Sequence, residues 1–377
     1  MGQIMDDLVN RLLKWANGGR EAPQRVLVYP TNTCNLKCVF CYQRLDPYDF
    51  SDIMPKSKWV ALTEELCRMG VQTVQISGGG EPMLASGTVL EMMKIIKQNG
   101  VIGRLVTNGT AVDAALAEKI ISTGWDNVIF SIDGANAETH DFMRGVPGSF
   151  DKTVKGISHF RDIKEQRNTE KPLLEFSSVL CKKNYRQIEG VIRLAHDTGA
   201  KVITFEPVFV SNPYVHEIKM DETQRIEFMT KIIPPAIRLS ESLGIITNLK
   251  TLIDLKVVEK TGDLRGEILK EEKKESTGQG ASNPFFDLPC FEPWCWPKIE
   301  ANGDVGPCSS NIVDGANLKG RSFADVWYGR EFRDFRKAIA EGRLPDGCAN
   351  CVSTHVPMNK RIRNELVRHA PADNQHF

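Results

Sequence analysis

The run Arg25-Val26-Leu27-Val28-Tyr29-Pro30-Thr31-Asn32-Thr33-Cys34-Asn35-Leu36-Lys37-Cys38-Val39-Phe40-Cys41 carries two signals in succession. Its first five residues are rich in apolar and β-branched side chains and read as a strand. Three cysteines follow at C-x3-C-x2-C spacing. Thiolates so spaced can wrap one face of a compact iron–sulfur cube. A [4Fe–4S] cluster has four irons and normally takes four cysteines. No fourth lies near in sequence, so one iron would stay open to a ligand. A zinc site would need another ligand, and no histidine precedes His140. Three buried structural thiols are the remaining reading, and their crowding into one loop weighs against it.

Working outward, strands read at Thr73–Ile76, Arg104–Val106, Asn127–Ile132, Leu173–Leu180 and Val202–Phe205. Between them run helical patterns: Lys58–Met69, a stripe of Val89, Met92, Met93 and Ile96 stopped by Asn99-Gly100, then Asp113–Ser122, Tyr185–His196 and about Glu222–Leu243. Six strands alternating with helices predict an α/β fold with a parallel sheet and right-handed crossovers. Periodicity alone does not separate an open doubly wound sheet from a partial barrel. Either one places its site at the C-terminal ends of the strands.

The chain has 377 residues, with 48 Lys+Arg against 48 Asp+Glu. Zero net charge gives no general drive toward nucleic acid or an anionic membrane. No stretch approaches 18 consecutive apolar residues, so no membrane span is expected. Met1–Asn10 lacks an apolar core and is not read as a signal peptide; Asp6 also spoils a myristoylation start. A cytoplasmic protein of a reducing compartment is expected. Lys256–Glu275 is charged and Ser276–Asn283 polar, which reads as an exposed insertion with a linker, or as one long surface helix.

The second strand ends in Ser77-Gly78-Gly79-Gly80-Glu81-Pro82, the third in Thr107-Asn108-Gly109 and the fourth in Ser131-Ile132-Asp133-Gly134. Glycines let backbone groups approach a ligand closely. The glycine run lacks the pattern of a P-loop or of a dinucleotide fingerprint. Together with C-x3-C-x-aromatic-C and Phe40, these motifs resemble the radical S-adenosylmethionine (SAM) superfamily. The resemblance implies that Cys34, Cys38 and Cys41 hold a catalytic [4Fe–4S] cluster. SAM then chelates the open iron and is cleaved reductively, and the resulting 5′-deoxyadenosyl radical abstracts hydrogen from substrate. It further implies Phe40 near the adenine and Gly79, Gly80 and Glu81 on the methionine end. Asn108, Ser131 and Asp133 would face the ribose and carboxylate, and Arg144 the SAM carboxylate.

Of ten cysteines, five more lie between Cys290 and Cys351. A turn at Gly303-Asp304 between Ile299 and Val305 reads as a small hairpin that brings Cys290 near Cys308. Cys348-Ala349-Asn350-Cys351 adds a pair, giving four ligands for a second [4Fe–4S] cluster or, alternatively, for a structural zinc. The surrounding words, from Pro293-Trp294 through Asn302–Cys308 and Phe323–Trp327, resemble the SPASM and twitch domains of radical SAM enzymes. No cysteine follows Cys351, which points to the shorter twitch form with one auxiliary cluster. Cys295 is surplus. Cys181 is either a hydrogen-atom donor or a buried inert thiol, and Cys67 reads as packing. Glu206, Tyr214 and His216 are candidates to hold substrate, and His355 to support the second cluster. The basic closing helix Arg361–Arg368 reads as a solvated face.

The expected fold is therefore a partial (β/α)6 TIM-like barrel with a small twitch-type domain of hairpin plus helix. The expected segments are an N-terminal helix at 1–20, the radical SAM core at 21–248, an insertion at 249–284, the auxiliary domain at 285–356 and a closing helix and tail at 357–377. The expected activity is hydrogen abstraction from an unactivated C–H bond. Only 33 residues precede Cys34, which favours a small polar substrate such as a polyol or amino sugar, dehydrogenated, epimerised or dehydrated. A peptide substrate is the alternative, and a zinc-stabilised binding protein the non-catalytic one. A low-potential donor such as flavodoxin or ferredoxin is the expected electron source.

Overall fold

The computed structural model describes residues 2–41, 52–208, 213–254, 284–309, 311–351 and 355–369. The run Lys256–Glu275, the stretch Ser276–Asn283 and the side chains of Tyr214 and His355 lie outside the described residues. The strands are β1 Arg25–Val28, β2 Thr73–Ile76, β3 Ile102–Thr107, β4 Asn127–Ser131, β5 Leu173–Leu180, β6 Val202–Pro207, β7 Ile246–Thr247, β8 Lys298–Ile299 and β9 Val305–Gly306. The chain divides into a unit of Tyr29–Val60 with Gln75–Glu259, and a unit of Met1–Val28, Ala61–Val74 and Lys260–Phe377.

In the first of these units the strands stand in the order β7-β6-β5-β4-β3, followed by the Gln75-Ile76 end of β2. The pairs β3/β4, β4/β5, β5/β6 and β6/β7 are all parallel. Neighbours in space are neighbours in sequence, so the order never reverses as it does in a doubly wound sheet. This is the singly wound order of a partial barrel, and it settles what periodicity left open. The register aligns Ser131 with Ser177, and Val179 with Glu206, along one end of the sheet.

The helices follow their apolar stripes. Val89, Met92, Met93 and Ile96 of the Ser86–Gln98 helix are all buried. Asp113 caps Ala114–Ser122 by accepting the Leu116 N–H at 2.8 Å. The expected helix at 222–243 is helical throughout, but Phe228–Ile232 forms a π-turn ahead of Pro234-Pro235. The short β7 and the Ser149–Gln166 helix were not expected. That helix buries Ser149, Thr153, Gly156, Ile157 and Phe160, a stripe too polar to read as apolar. Its reason is local: a Cβ on Gly156 would stand 2.5 Å from the Gly109 carbonyl oxygen. Thr153 Oγ1 donates to the Asn108 carbonyl at 2.8 Å.

In the other unit β1 pairs in parallel with β8, and β8 turns antiparallel into β9. This is the hairpin expected between Ile299 and Val305; Gly303 takes the positive φ of 88° that its turn needs. The core is built on Leu8, Val9 and Leu12 of the Gly2–Ala16 helix, with Phe286, Phe291, Trp294, Ile339 and Leu366 among their partners. Arg336 is buried with its guanidinium 4.1 Å from the Trp327 ring centroid and 4.8 Å from that of Trp15. It donates to the carbonyls of Pro293 and Trp327. Burial pulls its pKa down to about 9. Among the described residues no helix is long and apolar enough to cross a membrane.

Candidate active site and auxiliary cysteine site

The C-terminal ends of the parallel strands open into a cavity of about 320 Å³. Cys34, Cys38, Cys41 and Phe40 line one part of it, and Ser77 to Pro82 another. Asn108, Ser131 and Arg144 join them, while Val179, Glu206, Pro207 and Val208 form the wall at β5 and β6.

The cysteine loop is held by backbone. Gly80 N–H donates to Thr31 O at 2.9 Å, and Glu81 N–H to Thr33 O at 2.8 Å. A Cβ on Gly80 would lie 2.1 Å from Thr33 O, so no other residue fits there without moving the loop. Further on, Lys37 N–H donates to Arg144 O and Val39 N–H to Met143 O. Gly145 follows with φ of 67°, and a Cβ there would meet Lys37 O at 2.1 Å. Asn108 Nδ2 donates to Asn35 Oδ1 at 3.0 Å, and Asn35 Nδ2 to Thr110 Oγ1 at 2.8 Å. Asn35, Thr110 and Gly145 thus fix the loop although the sequence reading passed over them. The signal for Gly145 was its place directly after a helix, the usual position of a left-handed cap.

Glu81 lines the cavity as expected for a ligand contact, and its carboxylate is also bonded within the protein. The buried Glu81 carboxylate accepts from Thr107 Oγ1 at 2.6 Å, Asn108 N–H at 2.7 Å and Met83 N–H at 3.0 Å. Three of its roughly four acceptor positions are used within the protein. These bonds tie the glycine loop to the end of β3. Burial raises its pKa, and the three donors together with Arg144 oppose that shift.

Asp133 is fully buried and does not line the cavity, in contrast to Ser131. Its carboxylate accepts the Val179 N–H at 2.8 Å and pairs with Arg144 Nη2 at 2.8 Å. Burial raises its pKa and the Arg144 charge offsets part of the rise. His140 Nδ1 accepts the Asp133 N–H at 3.3 Å, and burial pulls this histidine down to about 3, so it stays neutral.

Arg144 turns toward the cysteines. Its Nη1 lies 3.6 Å from Cys38 Sγ, and its guanidinium carbon stands 5.5 Å from the Phe40 ring centroid. Burial works against its charge, but Asp133, Cys38 and Cys34 outweigh it and raise its pKa. Cys34 is pushed up by burial, and the nearby Cys38, Glu81 and Cys41 add to the shift. A fixed cation beside three mutually repelling thiolates suits an anionic cluster. Among the described residues no three His, Cys, Asp or Glu side chains close on one point as a single ion requires. A cube takes each cysteine on a different iron, so sulfurs spread along a cavity wall fit it.

In the other unit, burial drives Cys290 well up, with Glu292, Cys308 and Cys351 as its charged neighbours. Asn311 reaches both Cys308 and Cys348. Cys290 thus has Cys308 and Cys351 as neighbours, and Asn311 bridges Cys308 to Cys348, without the four closing on one point among the described residues. Cys295 stands apart in the apolar core and donates to Phe291 O at 2.8 Å. Cys181 is buried against Met143, Val208 and Val215 and does not line the cavity. His216 is exposed, 3.2 Å from Lys219 Nζ.

A singly wound sheet whose strand ends present three cysteines, a glycine loop and a fixed cation defines an iron–sulfur enzyme of the SAM-cleaving class. The sequence profile described as the Radical SAM superfamily matches residues 28–171, and that of an iron-sulfur cluster-binding domain, SPASM, matches residues 290–352. The chain belongs to the radical SAM superfamily and carries a C-terminal SPASM domain. It is an enzyme whose cofactors are a SAM-binding [4Fe–4S] cluster, SAM itself and an auxiliary iron–sulfur cluster. It is 33% identical over 348 residues to the AdoMet-dependent heme synthase of Methanosarcina barkeri, covering 91% of this chain and 92% of that protein. It is 24% identical over 353 residues to the PqqA peptide cyclase of Xanthomonas campestris pv. campestris, covering 89% of this chain and 80% of that one. Among solved structures it resembles native anSMEcpe with bound AdoMet, with a TM-score of 0.58, 15% identity and coverage of 92% of this chain and 97% of that one.

Proposed function

We propose that this enzyme abstracts hydrogen from an aliphatic side chain of a tetrapyrrole and carries out a net oxidation there. The observation that carries the chemistry is the single cavity lined by Cys34, Cys38, Cys41, the glycine loop and Arg144. When bound, the cluster and SAM supply a primary carbon radical that removes hydrogen from unactivated C–H bonds. This chain's residues do the rest. Cys34, Cys38 and Cys41 hold the cluster, and Arg144 offsets its charge. The Gly79 and Gly80 backbone receives the methionine end of SAM, with Phe40, Asn108 and Ser131 around the remainder. The wall at Val179, Glu206 and Val208 faces the substrate. Cys290, Cys308, Cys348 and Cys351 hold the auxiliary cluster as an electron sink. Reducing equivalents enter from a low-potential donor of the flavodoxin or ferredoxin kind.

The tetrapyrrole half rests on the near full-length similarity to a protein named for heme synthesis. The full-length but more distant similarity to a peptide cyclase supports a second reading, peptide oxidation. The relatives compared above give no support to the polyol or amino sugar expected from sequence.

The test is anaerobic reconstitution followed by turnover with three deuterated probes: an iron tetrapyrrole with aliphatic carboxylic side chains, a peptide, and a polyol. Deuterium is expected in 5′-deoxyadenosine from the tetrapyrrole alone. Label from the peptide alone would replace the substrate assignment, and absence of any 5′-deoxyadenosine would overturn the site itself.

A further inference from the structure

Two asparagine amides in the SPASM-containing unit point their donors at sulfur. Asn311 Nδ2 lies 3.5 Å from Cys348 Sγ and 3.9 Å from Cys308 Sγ. Asn359 Nδ2 lies 3.9 Å from Cys290 Sγ. A backbone donor fixes the orientation of the Asn359 amide. Asn359 Oδ1 accepts the Phe291 N–H at 2.8 Å, which only the oxygen end of the amide can do. Its nitrogen is thereby turned toward Cys290, from a buried asparagine to a partly buried sulfur.

Asn311 is wedged between two glycines. A Cβ on Gly347 would stand 1.6 Å from Asn311 Oδ1, and one on Gly306 would stand 2.1 Å from the Asn311 carbonyl oxygen. Gly306 ends β9, two residues before Cys308, and Gly347 precedes Cys348. Asn311 therefore fills the gap where two cysteine-bearing turns meet, and it donates to the cysteine of each. A cluster gains negative charge on reduction, much of it on sulfur. N–H donors to that sulfur stabilise the reduced form more than the oxidised one, and so raise the reduction potential.

We propose that Asn311 and Asn359 are positioning residues of the auxiliary site: their N–H···S bonds to Cys308, Cys348 and Cys290 hold the cluster's potential high enough to accept an electron from the substrate. This rests on the four-cysteine assignment made under the proposed function.

The test uses reconstituted full-length enzyme carrying Asn311→Ala, Asn311→Asp, Asn359→Ala or Asn359→Asp. Iron per chain is measured first. The auxiliary cluster is then titrated potentiometrically by electron paramagnetic resonance. Iron is expected to stay at the parent level. At a fixed ambient potential the reduced-to-oxidised ratio falls about tenfold in each Ala variant, which is about 59 mV for a one-electron couple. The Asp variants keep the shape but lose the donor, and fall at least as far. Electron–nuclear double resonance of the reduced cluster loses two exchangeable-proton couplings in the Asn311 variants, whose amide faces both Cys308 and Cys348, and one in the Asn359 variants. An unchanged potential with the cluster retained overturns the proposal. Loss of the cluster from all four variants also overturns it, in favour of a purely structural role. The ligand assignment fails separately, if Cys290→Ala, Cys308→Ala, Cys348→Ala and Cys351→Ala all keep the parent iron content.

Discussion

At the scale of single residues, the site depends on places where no side chain fits. Gly80→Ala puts a methyl 2.1 Å from Thr33 O, so the loop that carries Cys34 must shift. The expected result is an iron content close to that of the parent and SAM binding weakened at least tenfold, read by equilibrium dialysis. Glu206 contributes a different effect. It is accessible within the cavity, yet the atoms crowded around it raise its pKa above 4.5 by desolvation. Raising the pKa keeps the neutral, hydrogen-donating carboxyl to higher pH than usual. If that form holds the substrate, kcat/KM falls as pH rises through the raised value. Glu206→Gln keeps a donor at every pH, so it should flatten that limb while leaving SAM cleavage intact. A limb that persists in Glu206→Gln excludes this carboxyl as its source.

At the scale of elements, Asp126 shows how one loop carboxylate braces several segments. It accepts the Gly103 N–H at 2.8 Å and the Lys171 ammonium at 2.7 Å, and pairs with Lys97. Burial alone would raise its pKa, but these donors outweigh it and the net shift is downward from 3.8. A depressed carboxylate stabilises the fold above its unfolded value. The contribution is lost as pH falls through the lower folded value. Asp126→Asn should cost about 1–3 kcal/mol near neutrality. In urea denaturation that difference should shrink as pH drops below 3.8; a gap constant with pH would assign the loss to packing. Elements of this kind were legible where burial follows an apolar period, as in the Val89–Ile96 stripe. The Ser149–Gln166 helix was not legible, because it buries Ser149, Thr153 and Gly156 against the Asn108-Gly109 backbone. A face that packs on backbone reads as polar. Asp133 was ambiguous for a related reason: a strand-end carboxylate looks the same in sequence whether it meets a ligand or, as here, pairs with a buried arginine.

At the scale of the whole molecule, the two iron–sulfur domains were legible because a cluster constrains cysteine spacing. Cys295, read as surplus from the sequence, lies in the apolar core. Each proposed cysteine set lies within its own unit, so the two clusters should be separable by mutation. The reconstituted enzyme should hold about eight irons per chain, and replacing Cys34, Cys38 and Cys41 together by Ala should leave about four. Replacing Cys290, Cys308, Cys348 and Cys351 together should also leave about four, but with a different loss. The SAM-facing cavity contains none of those four residues, so reductive cleavage of SAM should continue in this variant. What it lacks is the electron sink. Turnover should then yield 5′-deoxyadenosine without a matching amount of oxidised product, whereas the parent forms the two in a fixed ratio. Equal ratios in the two proteins would show that the substrate electron leaves by another route, and the SPASM cluster would be left with a role in binding or stability.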